Sequence, residues 1–265
     1  MDGKIETINN PVLEPQCLFR GRGKHPKSGL LKPKTIPESV IINTSKWAPV
    51  PICPLPGRSW NQVVFNKNAF WLCKYKENLS NSFKYVQLSS NSSQKGIQDY
   101  LKFERARKLH KIIEIVRRDY QQKINSGGEE EVQIGVASYM IDFLAIRVGN
   151  DKSGDTADTV GCLSLRVEHV SFHEDYTIEL DFVGKDSIRY RNKTQFNSEA
   201  YDRLKQMCQN KRAGDKIFDL ISPGRINQYF GEFMNKLTAK VFRTYNASRT
   251  LEDQLMKTKI LPTDT

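Results

Sequence analysis

Histidine and cysteine are scarce in this sequence, with four and five copies in 265 residues. The cysteines (Cys17, Cys53, Cys73, Cys162 and Cys208) are odd in number and form no CxxC pair, which argues against a disulfide framework or a zinc cluster. His25, His110, His169 and His173 show no metal-ligand spacing; the last two are four apart, but in a segment that reads as strand and turn. The loop DKSGDTAD (Asp151 to Asp158) resembles a calcium site only in its first residues. Thr156 stands where an EF-hand needs glycine, and Cys162 where it needs glutamate. Long apolar runs are absent, and none approaches the roughly 18 residues of a membrane helix. The opening MDGKIETINN lacks the apolar core of a secretory signal. No Walker A loop, GxGxxG, HExxH or GxSxG occurs. The expectation is a soluble, intracellular, reduced protein with no metal, no cofactor and no membrane partner.

What is abundant is positive charge. Lys and Arg number 41 against 30 acidic residues, giving a formal charge of +11. Such an excess points to a polyanionic partner or to a protein that is basic for solubility alone. With 38% hydrophobic and 10% aromatic residues, the chain can build a core, and its length suits one large domain or two small ones.

Residues 1 to about 58 are rich in proline, which excludes long helices. SVIINTS (Ser39 to Ser45), VVF, FWLCKY and FKYVQL read as strands, and NSSQKG (Asn91 to Gly96) as a boundary. This segment does not look like a complete domain. From Asp99 to Ile124 the pattern turns helical, with Leu101, Leu109, Ile112, Val116 and Tyr120 on one face. Arg107, Lys108, Lys111 and Arg118 lie opposite, as a solvated face or a phosphate-contacting one.

A second helix is expected from Glu129, whose run of glutamates suits a helix N-terminus. At about 100° per residue, Val132, Val136, Tyr139, Met140 and Phe143 share an apolar arc. Arg147 projects into that arc just before Gly149 stops the helix. A guanidinium there must be paired, cap the helix end or line a pocket. Leu163, Leu165 and Val167 then alternate as a strand. Thr177 to Thr194 reads as a hairpin with GKD at its turn, so Lys185 sits at the tip, simply exposed or reaching into a groove. Helices follow at about 197–211, capped by Asn197 or Ser198, and at 225–237. TAKVFRTYNASRT continues helically with Arg243 among packing residues, and Thr250 caps a last helix. Arg147, Lys185 and Arg243, with no carboxylate cluster, suit metal-free chemistry on a phosphodiester, where side-chain charge stabilises the phosphorane.

On CLFRGRGKHPKSGLLKPKTIPESVIIN, IDFLAIRVGN, DTADTVGCLSLRVEH, DFVGKDSIRY and LTAKVFRTYNAS, the chain resembles the core of the eukaryotic type IB DNA topoisomerases. The resemblance implies an α+β fold, with a β-rich partial cap lobe (1–92) that binds DNA. A mainly helical, tyrosine-recombinase-like catalytic lobe with a small antiparallel sheet (93–265) would follow, the two clamping duplex DNA. It implies nicking through a 3′-phosphotyrosine, strand rotation and religation without ATP or metal, in the nucleus or a DNA-containing organelle. Arg147 and Arg243 match the family's catalytic arginines and Lys185 its hairpin lysine, the general acid for the 5′-oxygen. Phe19, Arg20, Gly21, Arg22 and Asp186 match positions near the cleavage site, which also border the place where intercalating camptothecin-type inhibitors lodge. The basic N-terminal residues Lys24, Lys27, Lys32 and Lys34 are further expected DNA contacts.

The chain departs from the family pattern in two places. No histidine follows His173, and no tyrosine stands in the SKxNY-like context of the family's nucleophile. The sequence therefore reads as a topoisomerase fragment, as the larger subunit of a split enzyme whose small subunit carries the tyrosine, or as a noncatalytic DNA-binding remnant.

Overall fold

The computed structural model describes residues 5–9, 12–150, 152 and 154–258. The chain's opening residues, Pro11, Asp151, Ser153 of the DKSGDTAD loop and the residues past Thr258 lie outside these. The fold is α+β, in two compact units: one of residues up to Tyr100 with Gly154–Ala157, the other of Leu101–Ser153 and Asp158 onwards.

In the first unit the strands are short, as the prolines dictate: β1 (Ile8–Asn9), β2 (Cys17–Leu18), β3 (Leu31–Lys32), β4 (Val40–Asn43), β5 (Gln62–Val64), β6 (Trp71–Lys76) and β7 (Phe83–Leu88). Five form a sheet in the order β1-β7-β6-β4-β5, antiparallel except for β4 with β5. Period-two alternation sends Val40 and Ile42 inward against Tyr75, with Leu13, Trp60, Val63 and Cys73 around them. β2 and β3 pair separately. Lys32, expected at DNA, is instead buried, its ammonium 2.5 Å from Glu14 and 2.9 Å from Glu77. The β3 pleat turns it inward, where two carboxylates neutralise it.

The first helix, α1 (Ser93–Ser126), begins inside the stretch that reads as a boundary, because the Ser92 hydroxyl accepts from the Lys95 amide (3.3 Å) and caps it. From Leu101 it belongs to the second unit. Ala106, Leu109, Ile113, Val116, Tyr120 and Ile124 form its buried face. Leu101 is exposed, Ile112 is only half-buried, and the four basic residues opposite are exposed.

α2 (Glu129–Leu144) starts on its glutamates as expected and is buried all round from Val132 to Asp142. It does not reach Arg147. Ala145 adopts the left-handed conformation (φ 50, ψ 30) and ends the helix a turn early, leaving Arg147 exposed beyond it and Phe143 half-exposed. Arg147 therefore does not share the helix's apolar arc.

Leu163, Leu165 and Val167 form no strand either. Two 3₁₀ turns, Cys162–Ser164 and Val167–His169, occupy this stretch, and the Leu163 and Leu165 amides donate to the Val148 and Cys162 carbonyls. A three-stranded antiparallel sheet follows, β8 (Val170–Phe172), β9 (Thr177–Val183) and β10 (Arg189–Gln195), with Ile178, Leu180 and Phe182 facing the core as the alternation requires. α3 (Ser198–Cys208) is capped by Asn197, and α4 (Pro223–Phe233) by Ser222 with proline in its first turn. α5 (Ala239–Lys257) is one continuous helix, so Thr250 is an interior residue and not a cap. No helix among the described residues is long and apolar enough to cross a membrane.

Candidate active site

Arg147, Lys185 and Arg243 come from a loop, a hairpin tip and a helix, yet all three line one cavity of about 400 Å³ in the second unit. Backbone hydrogen bonds bring them together. The Arg147 and Val148 carbonyls accept from the Cys162 and Leu163 amides at 2.8 and 2.7 Å, clasping the loop after α2 to the first 3₁₀ turn. On the other side of that turn the Val160 amide donates to the Val183 carbonyl (2.8 Å), at the end of β9. Lys185 is two residues further on. The chain reverses there through Asp186 (φ 67) and Ser187 (φ 59), closed by the Gly184 amide donating to the Ile188 carbonyl. Asp tolerates this left-handed geometry, and both Lys185 and Asp186 stay exposed at the tip.

Arg243 projects from the first half of α5. Its Nε donates to the Ala145 carbonyl at 2.9 Å, which the left-handed turn has freed from the helix. Burial, then the nearby Arg147 charge, pulls the Arg243 guanidinium below its ordinary value. Two further cations line the cavity, Lys152 and Lys240, and none of the described residues that line it is acidic. Sequence reasoning missed both. Lys240 was within reach of it: it stands three residues before Arg243 on one helix, the spacing that places side chains on a common face. Lys152 lies in an irregular loop with no periodicity to read. A concave site with five cations, two of them forked guanidiniums, is suited to holding a phosphodiester.

The candidates of the first unit form a separate structure. Phe19 to Leu30 is a compact hairpin loop in which the Phe19 amide donates to the Leu30 carbonyl and Gly29 to Phe19, each at 2.8 Å. His25 fills it, ring-to-edge with Phe19 at 5.0 Å, while its Nδ1 accepts from the Lys27 amide. A Cβ on Gly21 would fall 2.2 Å from that of His25, so glycine is required there. Arg20, Arg22 and Lys24 are exposed. The Lys27 ammonium is engaged by the Leu79 carbonyl (2.9 Å) and Asp155 (3.2 Å).

The catalytic core of eukaryotic DNA topoisomerase I matches residues 91–264, and the DNA-binding fragment of the same enzymes matches residues 1–88. DNA topoisomerase 1 of Homo sapiens is 46% identical over 261 residues, covering 96% of this chain and 34% of the relative. The Schizosaccharomyces pombe protein of the same name is 45% identical over 97% of the chain, and the mitochondrial DNA topoisomerase I of Rattus norvegicus 44% over 96%. The chain belongs to the eukaryotic DNA topoisomerase I family. It spans about a third of the length of the human and yeast relatives, and 44% of the rat mitochondrial one.

Proposed function

We propose that this chain is the core of a type IB topoisomerase that relaxes supercoiled duplex DNA by nicking and resealing one strand through a 3′-phosphotyrosine. In this reading the tyrosine comes from a segment or subunit outside these 265 residues. The observation that carries it is the convergence of Arg147, Lys185 and Arg243 on one cavity with no acidic residue among the described residues of its lining. Arg147 and Arg243 fork onto the non-bridging oxygens and stabilise the phosphorane as charge develops. Lys185, at an exposed tip, gives a proton to the departing 5′-oxygen. Phe19, Arg20, Gly21, Arg22, Lys24, Lys27 and Asp186 belong to the DNA-facing surface, with Lys27 and Asp186 acting chiefly by shaping their loops. The site of action is the nucleus or a DNA-containing organelle.

The second reading is a noncatalytic DNA-binding remnant of the same family. Restoring a tyrosine-bearing segment, in cis or as a second chain, separates the two. Under the catalytic reading, restoration yields plasmid relaxation that the 265 residues alone do not show. Arg147→Ala and Arg243→Ala then slow cleavage and religation together, each on the order of 10²-fold, and lysine rescues only partly. No relaxation after restoration, or full activity in both alanine variants, rejects it.

A further inference from the structure

The buried carboxylate of Asp142, in the last turn of α2, has no place in the cavity but is built into the frame behind it. It accepts hydrogen bonds from Arg117 (Nε at 2.8 Å, Nη2 at 3.4 Å) and from the Tyr120 hydroxyl at 3.0 Å, both on α1. The Asp142 backbone carbonyl accepts from the Asn246 side-chain amide of α5. Three residues on, the Ala145 carbonyl accepts from Arg243 Nε, three residues back along α5 from Asn246. The two helices are thus fastened by two rungs in antiparallel register, Asp142–Asn246 and Ala145–Arg243.

We propose that Asp142 is a positioning residue: its carboxylate ties the C-terminal turn of α2 to Arg117 and Tyr120 of α1, and with the Asn246 rung to α5 this holds the Ala145 carbonyl where it fixes the plane of the Arg243 guanidinium. A guanidinium is a flat fork. With Nε committed to a carbonyl, rotation about the side chain is blocked, and the remaining N–H groups are held toward the cavity that Arg243 lines. The α2 C-terminus that offers this carbonyl is itself held by Asp142. Arg117 anchors it to α1, the helix also packed behind α2, and Glu114 in turn holds Arg117 at 2.9 Å. A misplacement of about 1 Å at a charge-stabilising donor costs up to on the order of 10²-fold in rate, so fixing this plane has a chemical consequence.

The inference rests on the topoisomerase reading for its kinetic arm but not for its spectroscopic one. In the 265-residue chain, the Arg243 Nε–H resonance, assigned by its loss in Arg243→Lys, should exchange slowly with water. Asp142→Asn keeps the shape and one acceptor but removes the charge; it and Asn246→Ala should each shift this resonance and speed its exchange tenfold or more. Leu204→Ala, a destabilising core change in α3, should leave it in place. An unmoved resonance in folded Asp142→Asn and Asn246→Ala overturns the proposal. With a tyrosine segment restored, Asp142→Asn should lower the cleavage rate about tenfold while DNA affinity holds, and add little in an Arg243→Lys background. Loss in Arg243→Lys with none in Asp142→Asn rejects the positioning role. No loss in Arg243→Lys rejects the catalytic reading instead.

Discussion

Gly161 and Gly149 lie back to back, so close that a Cβ on Gly161 would fall 2.5 Å from the Gly149 Cα and 2.8 Å from the Arg147 carbonyl oxygen. Both obstacles are backbone and cannot rotate away. Gly161→Ala should therefore push the loop carrying Arg147 off the 3₁₀ turn, at a cost of about 1–3 kcal/mol in stability. Gly149→Ala should cost at least as much, since φ there is +79. Gly231→Ala, in open space on α4, should be neutral or stabilising by up to ~1 kcal/mol. Thermal unfolding of the three variants gives the comparison; equal melting temperatures would show that the loop yields freely.

Lys185 can be tested apart from the arginines. With a tyrosine segment restored, Lys185→Ala should slow cleavage of an ordinary 5′-oxygen substrate. It should spare one with a 5′-bridging sulfur, because a thiolate departs without a proton. Equal loss on both substrates would assign the lysine to groove contact.

Duplex binding by the chain should show little sequence preference and fall steeply with salt as condensed counterions are released. Replacing Lys152 or Lys240 by Gln should each reduce the slope of log affinity against log salt by about one unit. Fluorescence anisotropy across a salt series measures it; unchanged slopes would place those two lysines off the DNA path.

The Lys32 centre should leave a signature in pH. Burial pushes the Glu77 carboxyl up, but hydrogen bonds from Ser80 and Lys32 outweigh it and hold the group down at about 2. Burial likewise opposes charge on Lys32, and its bonds to Glu14 and Glu77 overcome this, holding it above its ordinary 10.5. The Glu77 contribution is therefore complete above about 4.5 and lost as pH falls toward 2. The Lys32 contribution is complete below 10.5 and lost as pH climbs past its raised value. Lys32→Met strands two carboxylates and should cost on the order of 3–5 kcal/mol at neutral pH. That variant should gain stability on acidification, where the native chain only loses it. All three tryptophans (Trp47, Trp60 and Trp71) lie in the first unit, so tryptophan fluorescence in urea follows this unit alone.

The hairpin bearing Lys185 was legible from its alternation, because a half-buried sheet imposes period two on Ile178, Leu180 and Phe182. Arg147 was singled out for a reason that the backbone contradicts. Helical arithmetic carried α2 on to Gly149, but nothing in the residue type of Ala145 announces a left-handed turn, which tertiary hydrogen bonding enforces. The alternation of Leu163, Leu165 and Val167 was misleading in the same way. Their amides bond to neighbouring loop carbonyls, so apolar spacing reported burial but not strand pairing. Lys32 shows the limit for charge: composition counts it as a cation facing outward, whereas the pleat of a two-residue strand and two distant glutamates make it part of the interior.

The five cations of the cavity have a further consequence for the unliganded protein. With no acidic residue among the described residues of the lining, these charges repel one another, and the Arg147 charge adds to burial in pulling Arg243 below its ordinary value. Folding alone does not relieve it; an anion does. Any polyanion that enters is thereby linked to the folding equilibrium, by as much as it prefers the assembled cavity to the unfolded chain. The melting temperature should climb with duplex concentration. Even without DNA, sulfate should stabilise the second unit more than chloride at equal ionic strength, so buffer composition sets the stability of the site as much as any single contact within it.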